Sequence, residues 1–295
     1  MLNFTFLKGD QIWGDNALDV MKRYGTKVAP TDLTAISGGL MSCDDCTSEN
    51  DLTCVSWSAS SFAKFCVLCV FSTGNEDWYD MNERMISARP ALPPSEAFKI
   101  SLKNIHKGPN SAQIGEYGEY PQMVAGKETS AKLEKLLETK SLRSTGKKYV
   151  FNSVDLDDYH TSFNATSYPE YEMDGKKYIR VFGRPYDEYS KLSTGEWVRD
   201  GKPYWVEIQP IEWLMDKSGW MVSKKCLFSG IQFDTKFKYY GDFSKTSMKR
   251  YLDTYFAKEI EPVRTREQIK VISKGQQEAV HIAAEDMANG RLERQ

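Results

Sequence analysis

Residues 171–181, YEMDGKKYIRV, carry the clearest β-hairpin signal in the sequence. The central Asp-Gly favours a two-residue turn whose twist matches that of paired strands, and aromatic or β-branched residues flank it. Outward from this hairpin, residues 204–208 alternate like a strand, and residues 210–214 and 220–223 predict a strand pair around the turn at 216–219. Such short strands, punctuated by turns, predict an irregular, β-rich α+β fold.

Helical periodicity is limited to a few stretches. Residues 15–25 predict a short helix that begins with acidic residues and ends at a glycine. Residues 129–142 predict an amphipathic helix behind a Thr/Ser cap, and residues 244–260 predict another helix. We therefore expect two or three helices.

The charge balance argues against nucleic acid as a partner. The 295 residues include 39 Lys and Arg against 41 Asp and Glu, which gives a formal net charge of −2 and no overall attraction to phosphate backbones.

Neither half of the chain contains a complete set of strands. We therefore expect residues 1–112 and 113–262 to interleave as one domain, followed by a charged, partly helical tail at 263–295.

The sequence shows no targeting signal or membrane span. Residues 1–8 have neither the basic region nor the long apolar segment of a signal peptide. The longest apolar run, residues 62–71, is about half the length that a bilayer requires, and it contains Lys64. We expect no membrane insertion and a chain that is cytoplasmic as synthesised, with a virion or cell surface left open.

Six short motifs resemble those of an uncharacterised domain family of gut Firmicutes. The segments similar to the first half of that family are YGEYPQ (117–122), PIEW (210–213), SKKCL (223–227) and SMKRYLD (247–253). Those similar to its second half are WSAS (57–60) and ARPAL (88–92). Because the second-half motifs come first here, the chain resembles a circularly permuted member.

The family in turn resembles the C-type-lectin-like fold shared by formylglycine-generating enzymes and by the variable proteins of diversity-generating retroelements. This resemblance implies a rigid scaffold, to which we assign Trp57 and Arg89, and a displayed segment at residues 62–85. It implies a non-enzymatic ligand-binding protein without a cofactor, whose expected ligand is a protein surface.

The displayed segment crowds aromatic residues among acids near a loop, where exposure without a partner would be costly. This crowding supports a contact role for the segment. The expected ligand-binding residues are Phe62, Lys64, Phe65, Leu68, Phe71, Asn75, Asp77, Trp78, Tyr79 and Asn82.

Two alternatives remain open. Cys43, Cys46, Cys66 and Cys69 form a C-x2-C-x19-C-x2-C array, the spacing of a tetrahedral zinc module with a structural or interaction role. An enzyme related to the formylglycine-generating enzymes is the other alternative. No catalytic residue can be nominated for it, because none of the three histidines lies in a recognisable catalytic motif.

Overall fold

The computed structural model describes residues 2–42, 53–63, 65–71, 73–152, 165–186, 190–234 and 241–261. The chain divides into two units, Met1–Ile260 and Glu261–Gln295. The tail predicted at 263–295 lies outside the described residues.

Most helices in the described ranges are short. They are α1 (Gly9–Ile12), α2 (Asp19–Tyr24), α3 (Asp32–Ile36), α4 (Pro94–Ala97), α5 (Lys127–Glu138), α6 (Ser247–Tyr251), a π-helical turn (Leu252–Phe256) and α7 (Ala257–Glu259), with 3-10 turns at Pro109–Ser111 and Phe243–Lys245. Five helices precede Thr139, so the prediction of two or three was wrong. Helices of four or five residues span too few turns to show an amphipathic period. Within these ranges, no helix has the length and apolar character needed to cross a bilayer.

Strands dominate the fold, as predicted for a β-rich α+β protein. They are β1 (Met41–Ser42), β2 (Thr53–Cys54), β3 (Ser56–Ala63), β4 (Cys66–Val70), β5 (Glu76–Asp80), β6 (Ala91–Leu92), β7 (Lys103–Lys107), β8 (Gln113–Val124), β9 (Arg143–Asn152), β10 (Ala165–Met173), β11 (Lys176–Phe182), β12 (Pro203–Met215) and β13 (Met221–Ser223).

The largest sheet forks around β12. One edge of β12 pairs with β8, and β8 also pairs with β7. The other edge pairs with β11 near the start of β12 and with β13 near its end, so one branch continues through β10 to β9 and the other ends at β6. Strands from both halves of the sequence therefore share one sheet. A separate three-stranded sheet has the order β3-β4-β5.

The hairpin predicted at residues 171–181 is confirmed as β10–β11. Met173 pairs with Lys176, and the two turn residues both have positive φ, 53° for Asp174 and 76° for Gly175. The strands predicted at 204–208 and 210–214 are instead one strand, β12, which continues through Pro210. Two register shifts accommodate the proline, and the Gln122 side-chain amide donates to the carbonyl oxygens of Gln209 and Pro210 at 2.9 and 2.8 Å.

An aromatic cluster fills the main core. The Phe256 ring lies 5.1 to 5.6 Å, centroid to centroid, from the rings of Phe4, Tyr120 and Phe228. These rings come from the N-terminal segment, β8, the region after β13 and the π-helical turn. Trp57 and Arg89, which we assigned to the scaffold, are both buried.

Candidate functional site: an acid-flanked aromatic face

The three-stranded sheet has one core-facing side and one exposed side. Along β5, burial alternates from Glu76 to Asp80, with residues 76, 78 and 80 exposed and residues 77 and 79 half-buried. The register pairs Leu68 with Trp78 and Val67 with Tyr79. Because strand side chains alternate between faces, Leu68 and Trp78 share the exposed side. We call Phe62, Leu68, Glu76, Trp78 and Asp80 the outward face.

A stacked aromatic pair dominates the outward face. The rings of Phe62 and Trp78 have centroids 5.6 Å apart and planes only 2° from parallel. Phe62 comes from β3 and Trp78 from β5, so the pair joins the two outer strands across β4. Phe62 is nevertheless 57% exposed and Trp78 is 49% exposed. Two large rings thus remain open to solvent while each restricts the other's rotamers.

Carboxylates lie on either side of Trp78. Glu76 and Asp80 are two positions away along β5, on the same face, and both are exposed. Neither forms an ion pair with another described residue. Asp80 accepts a hydrogen bond from the Cys66 thiol at 3.4 Å, and burial together with this carboxylate raises the pKa of Cys66. The face therefore combines exposed π surface with negative charge.

Glu76 and Asp80 were missed when the contact residues were predicted. The alternation of β5, read as a strand, would have placed both beside Trp78. The prediction instead followed aromatic character and the resemblance, neither of which assigns side chains to one face of a strand.

Three of the predicted contact residues belong to the core-facing side of the sheet and not to its outward face. Phe71 and Tyr79 are half-buried and pack against the main core. Burial, with a contribution from Asp77, raises the pKa of Tyr79 to about 12. The Asp77 carboxylate accepts the Trp78 backbone N–H at 2.8 Å. We therefore do not assign these three residues to the contact surface. Phe71 and Tyr79 pack against the core, and Asp77 binds the backbone of its own strand.

The other predicted residues surround the face or its turns. Phe65 is 44% exposed next to the β3–β4 turn, and its carbonyl oxygen accepts the Met81 N–H at 3.0 Å. Asn75 is exposed in the β4–β5 turn, where its carbonyl oxygen accepts the Phe71 N–H at 2.8 Å. Asn82 is half-buried after β5, and Lys64 lies outside the described residues.

The β4–β5 turn is fixed to the body of the protein at Gly74. Its carbonyl oxygen accepts hydrogen bonds from the Trp13 indole N–H at 3.0 Å and from the Thr26 hydroxyl at 2.7 Å. At the other side of the sheet, the Ser60 hydroxyl accepts the Gly9 backbone N–H at 2.9 Å. These bonds hold β3 and β5 in place, so the outward face is presented on a rigid support.

We expect Gly74→Ala to destabilise the protein more than Gly146→Ala. Both glycines have positive φ, 90° and 86°, so alanine strains the backbone at either site. Only at Gly74 would the new Cβ meet other atoms, with Thr26 Oγ1 2.5 Å away, whereas Gly146 faces open space. The difference in unfolding free energy should be about 1 to 2 kcal/mol. Equal losses in denaturant titrations would show that the Gly74 anchor is dispensable.

The strand geometry does not favour the zinc alternative. Cys66 lies on the outward side of β4 beside Asp80, and Cys69, three residues later, is buried on the opposite side. One tetrahedral ion requires both thiolates of a pair on the same side. Burial also raises the pKa of Cys69 well above its usual value, which favours the protonated thiol. Cys43 and Cys46 lie outside the described residues.

No catalytic constellation stands out in the described part of the chain. There, no three His, Cys, Asp or Glu side chains come together as a metal-binding group. The outward face contains no histidine. The neighbouring Cys66 thiol donates to Asp80, but burial and this carboxylate raise the pKa of the thiol, which disfavours the nucleophilic thiolate.

Comparisons of this chain with protein-family models, with curated proteins and with solved structures found no match.

Proposed function

We propose that the protein is a non-enzymatic binding protein that captures a partner on its outward face. The observation that carries the proposal is the exposed Phe62–Trp78 stack on a sheet whose other side belongs to the core. Exposed aromatic rings held in one orientation lose little conformational entropy on binding, and aromatic residues dominate the energetics of protein interfaces.

The charge of the face favours a cationic partner. Glu76 and Asp80 border Trp78 on the outward face, and both carboxylates are exposed. An Arg or Lys side chain over the Trp78 ring would gain a cation–π contact and an ion pair at once. We therefore propose a protein segment that bears Arg or Lys as the ligand.

The proposal includes a C-type-lectin-like scaffold, circularly permuted, of the kind used by retroelement variable proteins. The six motifs support it. So do the buried positions of Trp57 and Arg89 on either side of the displayed segment, because a display protein must separate scaffold residues from contact residues. In that class of protein residues 62–85 would be the variable segment, and the function would need no cofactor.

Selection from a random peptide library tests the nature of the ligand. The native chain should enrich peptides rich in Arg and Lys. A variant with Glu76→Gln and Asp80→Asn should bind the selected peptides at least about tenfold more weakly, because two carboxylates next to the binding ring are lost.

The matched control is Glu128→Gln with Glu138→Gln, which removes the same charge from exposed positions on α5. The control should bind like the native chain. Selection of peptides without basic residues would contradict a cation-binding face. Equal weakening of binding in both variants would also contradict it, because it would show only a general effect of net charge.

A further inference from the structure

A small interior cavity lies where β3 and β4 meet α1, α2 and β13. Three of its lining residues carry polar groups, and five are apolar: Ser56, Trp57 and Arg89, with Leu7, Ile12, Met21, Val70 and Val222. All eight residues are buried. The cavity has a volume of about 10 Å³, which is enough for one occupant about the size of a water molecule.

Arg89 brings a buried positive charge to this cavity. Its side chain is only 6% exposed, and its Nε donates to the Ser223 carbonyl oxygen at 3.0 Å. Its Nη1 lies 3.5 Å from the Thr26 carbonyl oxygen and 3.9 Å from the Met21 sulfur. Among the described residues, no carboxylate forms an ion pair with it. Burial lowers the pKa of Arg89, yet a guanidinium remains protonated in proteins.

Within the described ranges, the groups that act electrostatically on Arg89 include no carboxylate. They are the thiols of Cys226 and Cys54 and the phenol of Tyr24. Burial raises the pKa of the Cys226 thiol well above its usual value, so that thiol is neutral near pH 7. An isolated buried charge is strongly unfavourable, so a negative partner beside Arg89 would stabilise the folded protein.

Two buried polar atoms at the cavity also lack hydrogen-bond partners within the described part of the chain. They are Arg89 Nη2 and Trp57 Nε1, and both can only donate. The Ser56 hydroxyl is also buried there, and it interacts with the Cys226 thiol. The remaining walls are apolar and offer no ligand to a cation. The occupant that this site selects must accept several hydrogen bonds, and negative charge would improve its fit.

We propose that this cavity binds a small monovalent inorganic anion of the halide class, with chloride as the cellular occupant. The anion would accept hydrogen bonds from Arg89 and Trp57 and would neutralise the guanidinium. A water molecule could satisfy the same donors but would leave the charge uncompensated. This inference does not depend on the proposed function of the outward face, although the bound ion would help to join β3 to the rest of the scaffold.

The test follows thermal unfolding while chloride replaces gluconate at constant ionic strength and pH. Gluconate is too large for the cavity, so the exchange isolates site occupancy from screening. We expect a saturable increase in Tm, about 3 °C or more between one-tenth and ten times the dissociation constant. Crystals soaked in sodium bromide should show an anomalous-scattering peak in contact with Arg89 and Trp57.

Variants assign the effect to this cavity. Trp57→Phe removes one N–H donor while keeping a ring, and should shift the chloride midpoint to about tenfold higher concentration. Arg89→Met should abolish the chloride dependence. If Arg89→Met does not fold, Trp57→Phe and the bromide peak still decide the question.

Trp220→Phe is the matched control, since Trp220 is half-buried and does not line the cavity. It should keep the native chloride dependence. Identical Tm values in chloride and gluconate, together with no bromide peak at the cavity, would overturn the proposal and identify the occupant as water. Equal shifts of the chloride midpoint in Trp220→Phe and Trp57→Phe would also overturn the proposal.

Discussion

Glu259→Gln is expected to remove a pH dependence of stability amounting to about 3 to 5 kcal/mol between pH 5 and pH 8. Glu259 is buried in α7, where one carboxylate oxygen accepts the Val150 N–H at 2.7 Å and the other has no hydrogen-bond partner in the described ranges. Burial raises the pKa of this carboxyl from 4.5 to about 8, against the opposing effects of Val150 and Lys147. Each unit of pKa difference is worth about 1.4 kcal/mol.

The sign follows from proton uptake on folding. Between pH 4.5 and pH 8 the folded carboxyl keeps a proton that the unfolded chain has released. The native protein should therefore lose stability as pH rises through this window and level off above about pH 8. Glutamine keeps the oxygen that accepts the Val150 N–H and cannot ionise. The unfolding free energy of the variant should therefore depend less on pH, and it should exceed that of the native protein most at alkaline pH.

Denaturant unfolding at several pH values measures this difference. The exposed residue Glu261 provides the control, because Glu261→Gln removes a carboxylate two positions away without touching the buried site. The control should follow the native profile. If Glu259→Gln also follows it, the Glu259 carboxyl is already ionised at neutral pH, and the account of this region is wrong.

Local patterns predicted several individual strands near the centre of the large sheet, but not the order of its strands. The Asp-Gly turn at 174–175 predicted the β10–β11 hairpin because its backbone requirement is local and specific. The continuity of β12 could not be predicted, since Pro210 normally ends a central strand. β12 tolerates Pro210 because the register shifts and because the Gln122 side chain, from a distant part of the sequence, binds the neighbouring carbonyl groups. Long-range compensation of this kind has no local signature.

The candidate site was predicted as a segment but not as a surface. Composition identified the aromatic and acidic character of residues 62–85. It did not separate Trp78, which faces solvent, from the adjacent Tyr79, which packs against the core. That separation required the register of β5, which in turn depends on β4 and on the anchored turn at Gly74.

The second large effect is expected on the outward face, where binding and folding should separate. Phe62→Ala and Trp78→Ala should each weaken binding of a selected basic peptide by about 2 kcal/mol, or roughly 30-fold. Each should change the unfolding free energy by less than about 1.5 kcal/mol, the worth of an exposed aromatic stack. Tyr79→Ala, one residue from Trp78 but on the core side, should instead destabilise the fold by more than about 2 kcal/mol.

The most direct measurement records both quantities on the same samples. Peptide affinity by calorimetry and unfolding free energy by denaturant titration are compared for the native chain, Trp78→Ala, Tyr79→Ala and the exposed-ring control Phe98→Ala. We expect Trp78→Ala to lose affinity and keep its stability, while Phe98→Ala keeps both. A Trp78→Ala variant that unfolds as readily as Tyr79→Ala, or that binds the peptide as tightly as the native chain, would contradict this expectation.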